Sequence, residues 1–337
     1  SSNEDKSKYK LIKVGDIAYN RMRMWQGALG YSDYQGITSP AYVVLKPRME
    51  INQRFFHYMF RTGFYTNYSK RFSYGIVDDQ LSLRYVDFKR MYSIVPPLET
   101  QNAIVAYLDR KTQQIQEFIA KKERLIELLE EQKKAIILDE CKEAFLNNRK
   151  KIKFVAKICN GQDQKNVERI DGKYAIYGSG GEIGRANKFL HNRPSVLLGR
   201  KGTIDKPIFV KEPFWSIDTA FYTVVNERVI SPEYFYYASS FIPFEKFTYG
   251  SAIPSMTQSI LNNLEIPLPT IEKQAQLLNS IKQKHAIVGL AISKAKAEIE
   301  KAREFQESLI TQIVTGQLKV PCDRDVTKRE NQHAKTL

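Results

Sequence analysis

The stretch IVPPLETQNAIVAYLD (94–109) returns, in other letters but with the same pattern, as IPLPTIEKQAQLLNSI (266–281). Setting Gln101 against Gln274 gives an offset of 173, and the residues that follow keep one seven-residue register in both copies. In the second copy one seam runs Leu278, His285, Ile292, Ile299, Gln306, Ile313, and the other Ile281, Val288, Ala295, Ala302, Leu309. The first copy has Val105, Thr112, Ile119, Ile126, Lys133 and Leu108, Ile115, Lys122, Leu129, Ile136 at the matching places. Apolar residues sustained at alternating spacings of three and four define a long helix that packs on another helix. Lys122, Lys133, His285 and Gln306 put polar groups into the seams, which fixes register and orientation at some cost in stability.

Prolines at 96, 97, 267 and 269 exclude helix before each copy, since they remove backbone donors and restrict the residue ahead of them. The pattern therefore predicts helices from about Gln101 to Asn147 and from about Gln274 to Thr315, each roughly 60–70 Å long at ~1.5 Å per residue. Gly316 is a natural stop for the second. Beyond it, PCDRDVTKRENQHAKTL (321–337) is polar and aperiodic, the pattern of a frayed tail.

Upstream of each helix the resemblance between the copies continues more weakly. GITSPAYVVL (36–45) matches SIDTAFYTVV (216–225), FFHYMF (55–60) matches YFYYAS (234–239), and Tyr74-Gly75 matches Tyr249-Gly250, with an offset that drifts between about 172 and 180. One unit is thus a globular part followed by a long helix, written in tandem. Short β-branched and aromatic runs such as YVVL, SVLLG, PIFV and FYTVV, broken by Gly, Pro and Asn, mark the globular parts as α+β and rich in strand. The expected fold class is α+β, with two domains related by internal repeat and separated by two long helices paired as an antiparallel coiled coil. The boundaries fall at 1–97, 98–148, 149–269, 270–320 and a tail at 321–337. About 45 residues, 151–195, precede the repeated region in the second unit, so their counterpart in the first would lie upstream of residue 1 and the first domain is expected to be incomplete.

Composition narrows the function. Of 337 residues, 42% are hydrophobic and 26% charged, enough to bury substantial cores, and the net charge of +15 favours a polyanionic partner. No apolar run approaches the ~18–20 residues needed to span a bilayer, so nucleic acid is preferred to membrane. Cys141, Cys159 and Cys322 are odd in number and far apart, which supports neither a disulfide framework nor a paired metal site and fits a reducing cytoplasm. Two basic modules held apart by a span near two turns of B-DNA, at ~34–36 Å per turn, could meet two half-sites on one face of a duplex.

With the repeated order, the PLPTIEKQAQ lead-in, the closing ESLITQIVTGQLKV (307–320) and the domain phrases GRKGTI (199–204) and NRMRMWQGALG (20–30), the chain resembles the specificity subunits of type I restriction-modification enzymes. The resemblance covers essentially the whole chain. It implies two target-recognition domains reading the halves of a bipartite double-stranded DNA sequence, and helices serving as an antiparallel spacer. It implies no catalysis in this chain, which instead docks two adenine-N6 methyltransferase subunits to which translocase/endonuclease subunits can add. S-adenosylmethionine, ATP and Mg²⁺ would then sit on the partners, with no cofactor here. Self-association of the chain is left open.

The residues themselves suggest contacts. Arg21 and Arg23 in one unit, and Arg200 and Lys201 in the other, follow short apolar strands at corresponding places; arginine can fork onto guanine O6 and N7, and either cation can neutralise phosphate. NGQDQKN (160–166) offers Gln162 and Gln164 for adenine and Lys165 for phosphate, against the plainer alternative of a surface turn. YAIYGSGGEIG (174–184) offers Tyr174, Tyr177 and Ser179 along a sugar-phosphate strand, while its glycines do not follow the dinucleotide-binding spacing. Tyr74-Gly75 and Tyr249-Gly250-Ser251 fit a shared structural turn better than a DNA contact. A lone seam histidine, His285, is not a metal site. Asp78-Asp79 lacks a supporting histidine cluster, and no P-loop or methyltransferase signature is present. Two rivals remain: a coiled-coil scaffold with a solubilising basic surface, and an enzyme whose turnover would depend on Asp78 or His191.

Overall fold

The computed structural model describes residues 6–75, 81–248 and 255–320. The chain divides into two compact units, Ser1–Glu123 with Lys296–Leu337, and Arg124–Ala295. The Asp78-Asp79 pair, Tyr249-Gly250-Ser251, Cys322 and the polar tail lie outside the described residues.

In the first unit the order is β1 (Lys10–Ile12), β2 (Ile17–Asn20), β3 (Leu29–Tyr31), β4 (Gly36–Thr38), β5 (Tyr42–Leu45), α1 (Gln53–Phe60), α2 (Gly63–Arg71), α3 (Tyr85–Phe88) and the opening turns of α4 (Leu98–Asn147). Three antiparallel strands stand in the order β3-β2-β5, and β1 pairs with β4. The alternating pattern of β2 and β5 turns Tyr19 and Val43 onto the aromatic face of α1, where Phe55, Phe56, Met59 and Phe60 are buried. Met24, Leu83 and the α4 residues Ile104, Val105 and Leu108 join this core with Leu309, Ile313 and Val314 of α8 (Ile271–Val314).

The second unit follows with β6 (Arg149–Lys151), β7 (Ala156–Asn160), β8 (Tyr174–Gly178), β9 (Gly181–Ala186), β10 (Ser195–Gly199), β11 (Ile208–Val210), β12 (Phe214–Ser216), β13 (Ala220–Val225), α5 (Pro232–Ala238), α6 (Glu245–Thr248), α7 (Gln258–Asn263) and β14 (Glu265–Pro267), before α8 begins. Its main sheet runs β11-β10-β13-β7, a second sheet runs β12-β8-β9, and β14 closes on β6. Strand β10, SVLLG, is buried at every residue, as expected of a strand covered on both faces. Leu198, Phe221, Tyr234, Phe235 and Ile266 fill the core with Ile137 and Cys141 of α4 and Leu277 and Ile281 of α8. Cys141 and Cys159 are free thiols.

The two long helices pair antiparallel, and each contributes to both units. Within the first unit Lys122 meets Glu298 at 2.6 Å and Glu123 meets Arg303 at 3.4 Å. Within the second, Glu140 takes Lys284 and Ser280, and a ring nitrogen of His285 lies 2.9 Å from the carbonyl of Lys133. Of the heptad positions, Leu108, Ile281, Val288, Ile292, Ile299 and Leu309 are buried, while Ile115, Ile119, Ile126, Leu129, Ile136 and Leu278 are half-buried. Both helices start three residues earlier than expected, at Leu98 and Ile271. Proline forbids a helix interior but is compatible with the position just before the first turn, whose N–H groups have no partner in any case.

A conserved plan links the units without superposing their sequences letter by letter. The side-chain oxygen of Gln101 accepts from the backbone N–H of Asn52, the residue capping α1, at 2.8 Å. The side-chain oxygen of Gln274 accepts from Ser231, the residue capping α5, at 3.0 Å. Each amide also donates to a proline carbonyl, Gln101 to Pro96 at 2.7 Å and Gln274 to Pro269 at 3.0 Å. The strand register corrects the sequence pairing. Tyr19 opposes Val43, and Leu198 opposes Phe221, so Val43 corresponds to Phe221 at an offset of 178 rather than the 180 read from residues 36–45 and 216–225. The matched letters YVVL and YTVV look alike, but burial of the partner strand decides which residue faces the core.

Candidate nucleic-acid interface

The end of β10 is held by its neighbours rather than by its own turn. The backbone N–H groups of Arg200 and Lys201 donate to Thr219 O at 2.8 and 3.2 Å, and Arg200 O accepts from Met256 at 2.9 Å. Its guanidinium reaches Asp218 O at 3.4 Å and lies 5.9 Å from the Phe221 ring centroid, while Lys201 is exposed. Ser179, in the two-residue turn between β8 and β9, donates from its hydroxyl to Lys201 O at 2.7 Å and from its N–H to Thr219 Oγ1 at 3.3 Å. Gln162 donates its N–H to Ser216 O at 2.8 Å, and Trp215 Nε1 donates to Gln162 O at 2.9 Å. Three loops therefore meet on residues 215–219, and they bring Gln162, Ser179, Arg200 and Lys201 to one end of the second unit.

Glycine makes this approach possible. A Cβ on Gly161 would stand 1.9 Å from Ile217 O, and one on Gly199 would stand 2.1 Å from Thr203 O. No side chain fits at either place.

Other expected residues are placed differently. Gln164 is half-buried and its carbonyl accepts from Val167 and Glu168, whereas Lys165 is exposed and 3.8 Å from Asp163. Tyr177 sits on β8 with its ring edge-on to Phe214 at 6.2 Å, and burial pushes its phenol upward in pKa. Tyr174 lies at the opposite end of β8 from Ser179, opposite Ala186, with its ring edge-on to Phe189 at 5.3 Å. The structure does not bring Tyr174 to the loop cluster. Thr219 and Asp218, which organise the cluster, were not singled out by residue type. The only available signal was that SIDT (216–219) falls inside the duplicated phrase.

The first unit repeats the arginine anchor. Arg21 donates its N–H to Ala41 O at 3.0 Å and accepts at its carbonyl from Leu83 at 2.8 Å. These are the counterparts of the Thr219 and Met256 bonds of Arg200. Arg21 and Arg23 are both exposed, and the turn that carries them is fixed by Trp25 Nε1 donating to Met22 O at 3.1 Å and by Lys70 over the Trp25 ring. Tyr74 and Ser82 exchange backbone hydrogen bonds at 3.0 and 2.8 Å as an antiparallel bridge.

His191 packs on Phe214 and Tyr222 with centroids 5.8 and 5.3 Å away, and burial followed by the Arg193 charge lowers its pKa. Among the described residues no group of three or more His, Cys, Asp or Glu is placed to hold a metal ion, and no helix is long and apolar enough to cross a membrane.

Residues 147–301 match the family described as the type I restriction modification DNA specificity domain. No curated protein matches the chain. A chain from a structure addressing complex assembly and conformational transition of the type I R-M system is 16% identical, with a TM-score of 0.68 over 94% of this chain and 85% of that one. The HsdS subunit from Thermoanaerobacter tengcongensis is 17% identical, with a TM-score of 0.51 over 94% and 84%. At such identities the likeness is one of fold. The fold is thus that of a DNA specificity subunit with paired long helices. The family match over residues 147–301 agrees with the resemblance read in the sequence.

Proposed function

We propose that the chain is the sequence-recognising subunit of a type I restriction-modification complex in the cytoplasm, reading a two-part duplex target with one unit per part. One observation carries this: the same arginine-bearing strand end recurs in both units, with Arg21 anchored by Ala41 and Leu83 and Arg200 by Thr219 and Met256. In the second unit Arg200 faces guanine or phosphate, Lys201 and Lys165 neutralise phosphate, and Gln162 addresses a base edge; in the first, Arg23 and Arg21 take the corresponding part. Phosphate contacts supply salt-dependent affinity and the base contacts supply preference.

The exposed apolar residues Leu125, Leu128, Ile287 and Leu290 on the long helices of the second unit fit the docking of methyltransferase subunits. Two such partners carry S-adenosylmethionine and flip the target adenine into their own pockets. Translocase/endonuclease partners carry ATP and Mg²⁺. The chain itself contributes the address.

The test is expression with an adenine-N6 methyltransferase subunit, followed by modification-aware sequencing of host DNA. A methylated two-part motif with a fixed gap is expected, and exchanging residues 151–270 should alter only one half of it. A single contiguous motif, or methylation unchanged by the exchange, overturns the assignment. A scaffold with a merely solubilising charge predicts no directed methylation at all.

A further inference from the structure

Strands β7 and β10 both finish beside the start of β13, with Asn160 opposite Phe221 and Gly199 opposite Ala220. Asn160 therefore stands at the same end of the second unit as Arg200 and Gln162. Side chains of directly opposed strand residues share one face of a sheet, and the Arg200 guanidinium lies over that face, 5.9 Å from the Phe221 ring centroid. A third segment closes on this end. Ser255 bridges to Lys201, Met256 donates its N–H to Arg200 O at 2.9 Å, and Thr257 caps α7 by accepting from Ile260 at 3.2 Å. These contacts set Gln258, the first residue of α7, against the end of β7.

Ile158 O fixes how the two amides face. A carbonyl oxygen only accepts, so the Gln258 group that meets it at 3.2 Å is the nitrogen Nε2. The second hydrogen of Nε2 goes to Asn160 at 3.3 Å, and the atom receiving it is Oδ1. Both hydrogens of Gln258 and the oxygen of Asn160 are thus committed. What remains is an acceptor, Gln258 Oε1, beside a donor, Asn160 Nδ2, and among the described residues neither atom has a partner. Asn160 is exposed and Gln258 half-buried. A pair held in this way loses little freedom on meeting a ligand.

Adenine presents the complementary pattern in the major groove, where N7 accepts and the N6 amino group donates. A single asparagine or glutamine ordinarily meets both atoms; here two half-used amides supply one atom each. Guanine offers two acceptors, cytosine one donor, and thymine an acceptor with a methyl group, so none of them completes both bonds.

We propose that Asn160 and Gln258 together read an unflipped adenine, Asn160 Nδ2 donating to N7 and Gln258 Oε1 accepting from the N6 amino group, next to the base or phosphate met by Arg200. The inference rests on the DNA-recognition reading above and deepens it by naming the base. It also separates the two units. In the first, Arg21 O accepts from Leu83 as Arg200 O does from Met256, and the residue two further on is Tyr85 rather than glutamine. A single phenol oxygen has no amide to share, so the pair belongs to the second unit.

The test uses the complex of the full chain with adenine-N6 methyltransferase subunits and duplexes carrying the two-part motif that it methylates. The half that changes when residues 151–270 are exchanged should contain an adenine besides the methylated one. Replacing that adenine with 7-deazaadenine removes N7 alone and should weaken binding by the unaltered complex about tenfold. In Asn160→Ala, which leaves Gln258 held by Ile158 O, the normal duplex should bind about tenfold more weakly and the 7-deaza change should cost nothing further. Asn160→Asp keeps the oxygen that Gln258 needs and loses the outward donor. It should lose the same N7 dependence and move preference at that position toward cytosine, whose amino group is a donor, which keeps the test valid if the alanine variant fails to fold. A motif half with no second adenine overturns the proposal, as does a 7-deaza penalty equal in unaltered and Asn160→Ala complexes or absent from both. So does an Asn160→Asp complex that selects bases as the unaltered one does, the result expected if Asn160 only holds α7. A complex that methylates a two-part motif yet gives any of these results fails here alone, whereas absence of a two-part motif fails the reading beneath it.

Discussion

The side-chain oxygen of Gln274 sits 3.0 Å from the backbone N–H of Ser231, 43 residues earlier in the chain. The same amide donates to Val229 O at 2.9 Å and to Pro269 O at 3.0 Å, and the side chain is 1% exposed. One glutamine thus closes the proline turn, the cap of α5 and the start of α8 together. Gln274→Ala should leave these groups unpaired in a buried site, destabilising the second unit by about 2–3 kcal/mol. Gln101→Ala should do the same to the first. Amide exchange resolves the two units separately, and a loss under ~0.5 kcal/mol for both would contradict this role.

Gly199→Ala should force the Arg200 loop away from Thr203, since the new methyl carbon would meet Thr203 O at 2.1 Å. Overpacking of this kind costs about 1–3 kcal/mol and should weaken DNA binding through misplacement of Arg200 and Lys201. Gly30→Ala meets nothing within 4 Å and serves as the neutral control. Thermal melts of both variants decide the point.

Lys201→Ala and Arg200→Ala should fail in different ways. Loss of a phosphate contact reduces the salt slope of log K by ~0.9 and weakens binding to all sequences alike. Loss of a base contact by Arg200 should cost about 1–3 kcal/mol and relax preference at one position in one half of the motif. Titration at several salt concentrations separates the two.

His57 predicts a pH dependence. Its Nδ1 accepts from the Tyr31 N–H at 3.0 Å, and burial, followed by the charges of Arg61 and Arg54, lowers its pKa from 6.5 to about 4. The folded state prefers the neutral ring, so between these values the unfolded chain binds more protons. Stability from this site is full above pH ~6.5 and falls as pH drops toward 4, by at most ~1.4 kcal/mol per pH unit. His57→Asn, which keeps an acceptor in place of Nδ1, should flatten that part of the profile in urea titrations at pH 4.5 and 7.

The short aromatic helices carry opposite charge patterns at equivalent positions. Arg54 of α1 meets Asp109 of α4 at 3.3 Å, whereas Glu233 of α5 meets Lys282 of α8 at 2.6 Å. Lys282→Ala should cost under ~1 kcal/mol, because such partly exposed pairs contribute little. A chimera that exchanges 52–61 with 231–240 would set Arg54 against Lys282 and Glu233 against Asp109. It should be less stable than either single charge removal, and restoring opposite signs should recover the difference.

Much of this architecture was legible because it is written in periodic signals. Seven-residue spacing, proline pairs and the repeated phrase order report directly on helices and on duplication. What escaped depends on contacts between distant segments. The buried roles of Gln101 and Gln274 resemble any surface glutamine until the proline turn folds back over them. The hub at Thr219 and Asp218 consists of ordinary turn residues whose importance comes from the Ser179 and Arg200 loops converging on them. Tyr174 and Ser179 share a short phrase, yet a strand of five residues sends them to opposite ends. The two-residue error in matching β5 to β13 arose because similar letters occur at both registers, and only the pleat distinguishes them.

The glutamine clamp also bears on how such a chain tolerates genetic exchange. Ser231 and Gln274 must arrive together, as must Asn52 and Gln101, or an inherited cap meets a stranger's amide. A crossover within the long helix, downstream of the glutamine, hands over an intact clasp with its new recognition module. One placed in the proline turn splits the clasp, and the hybrid would have to rely on the incoming glutamine fitting its adopted partner.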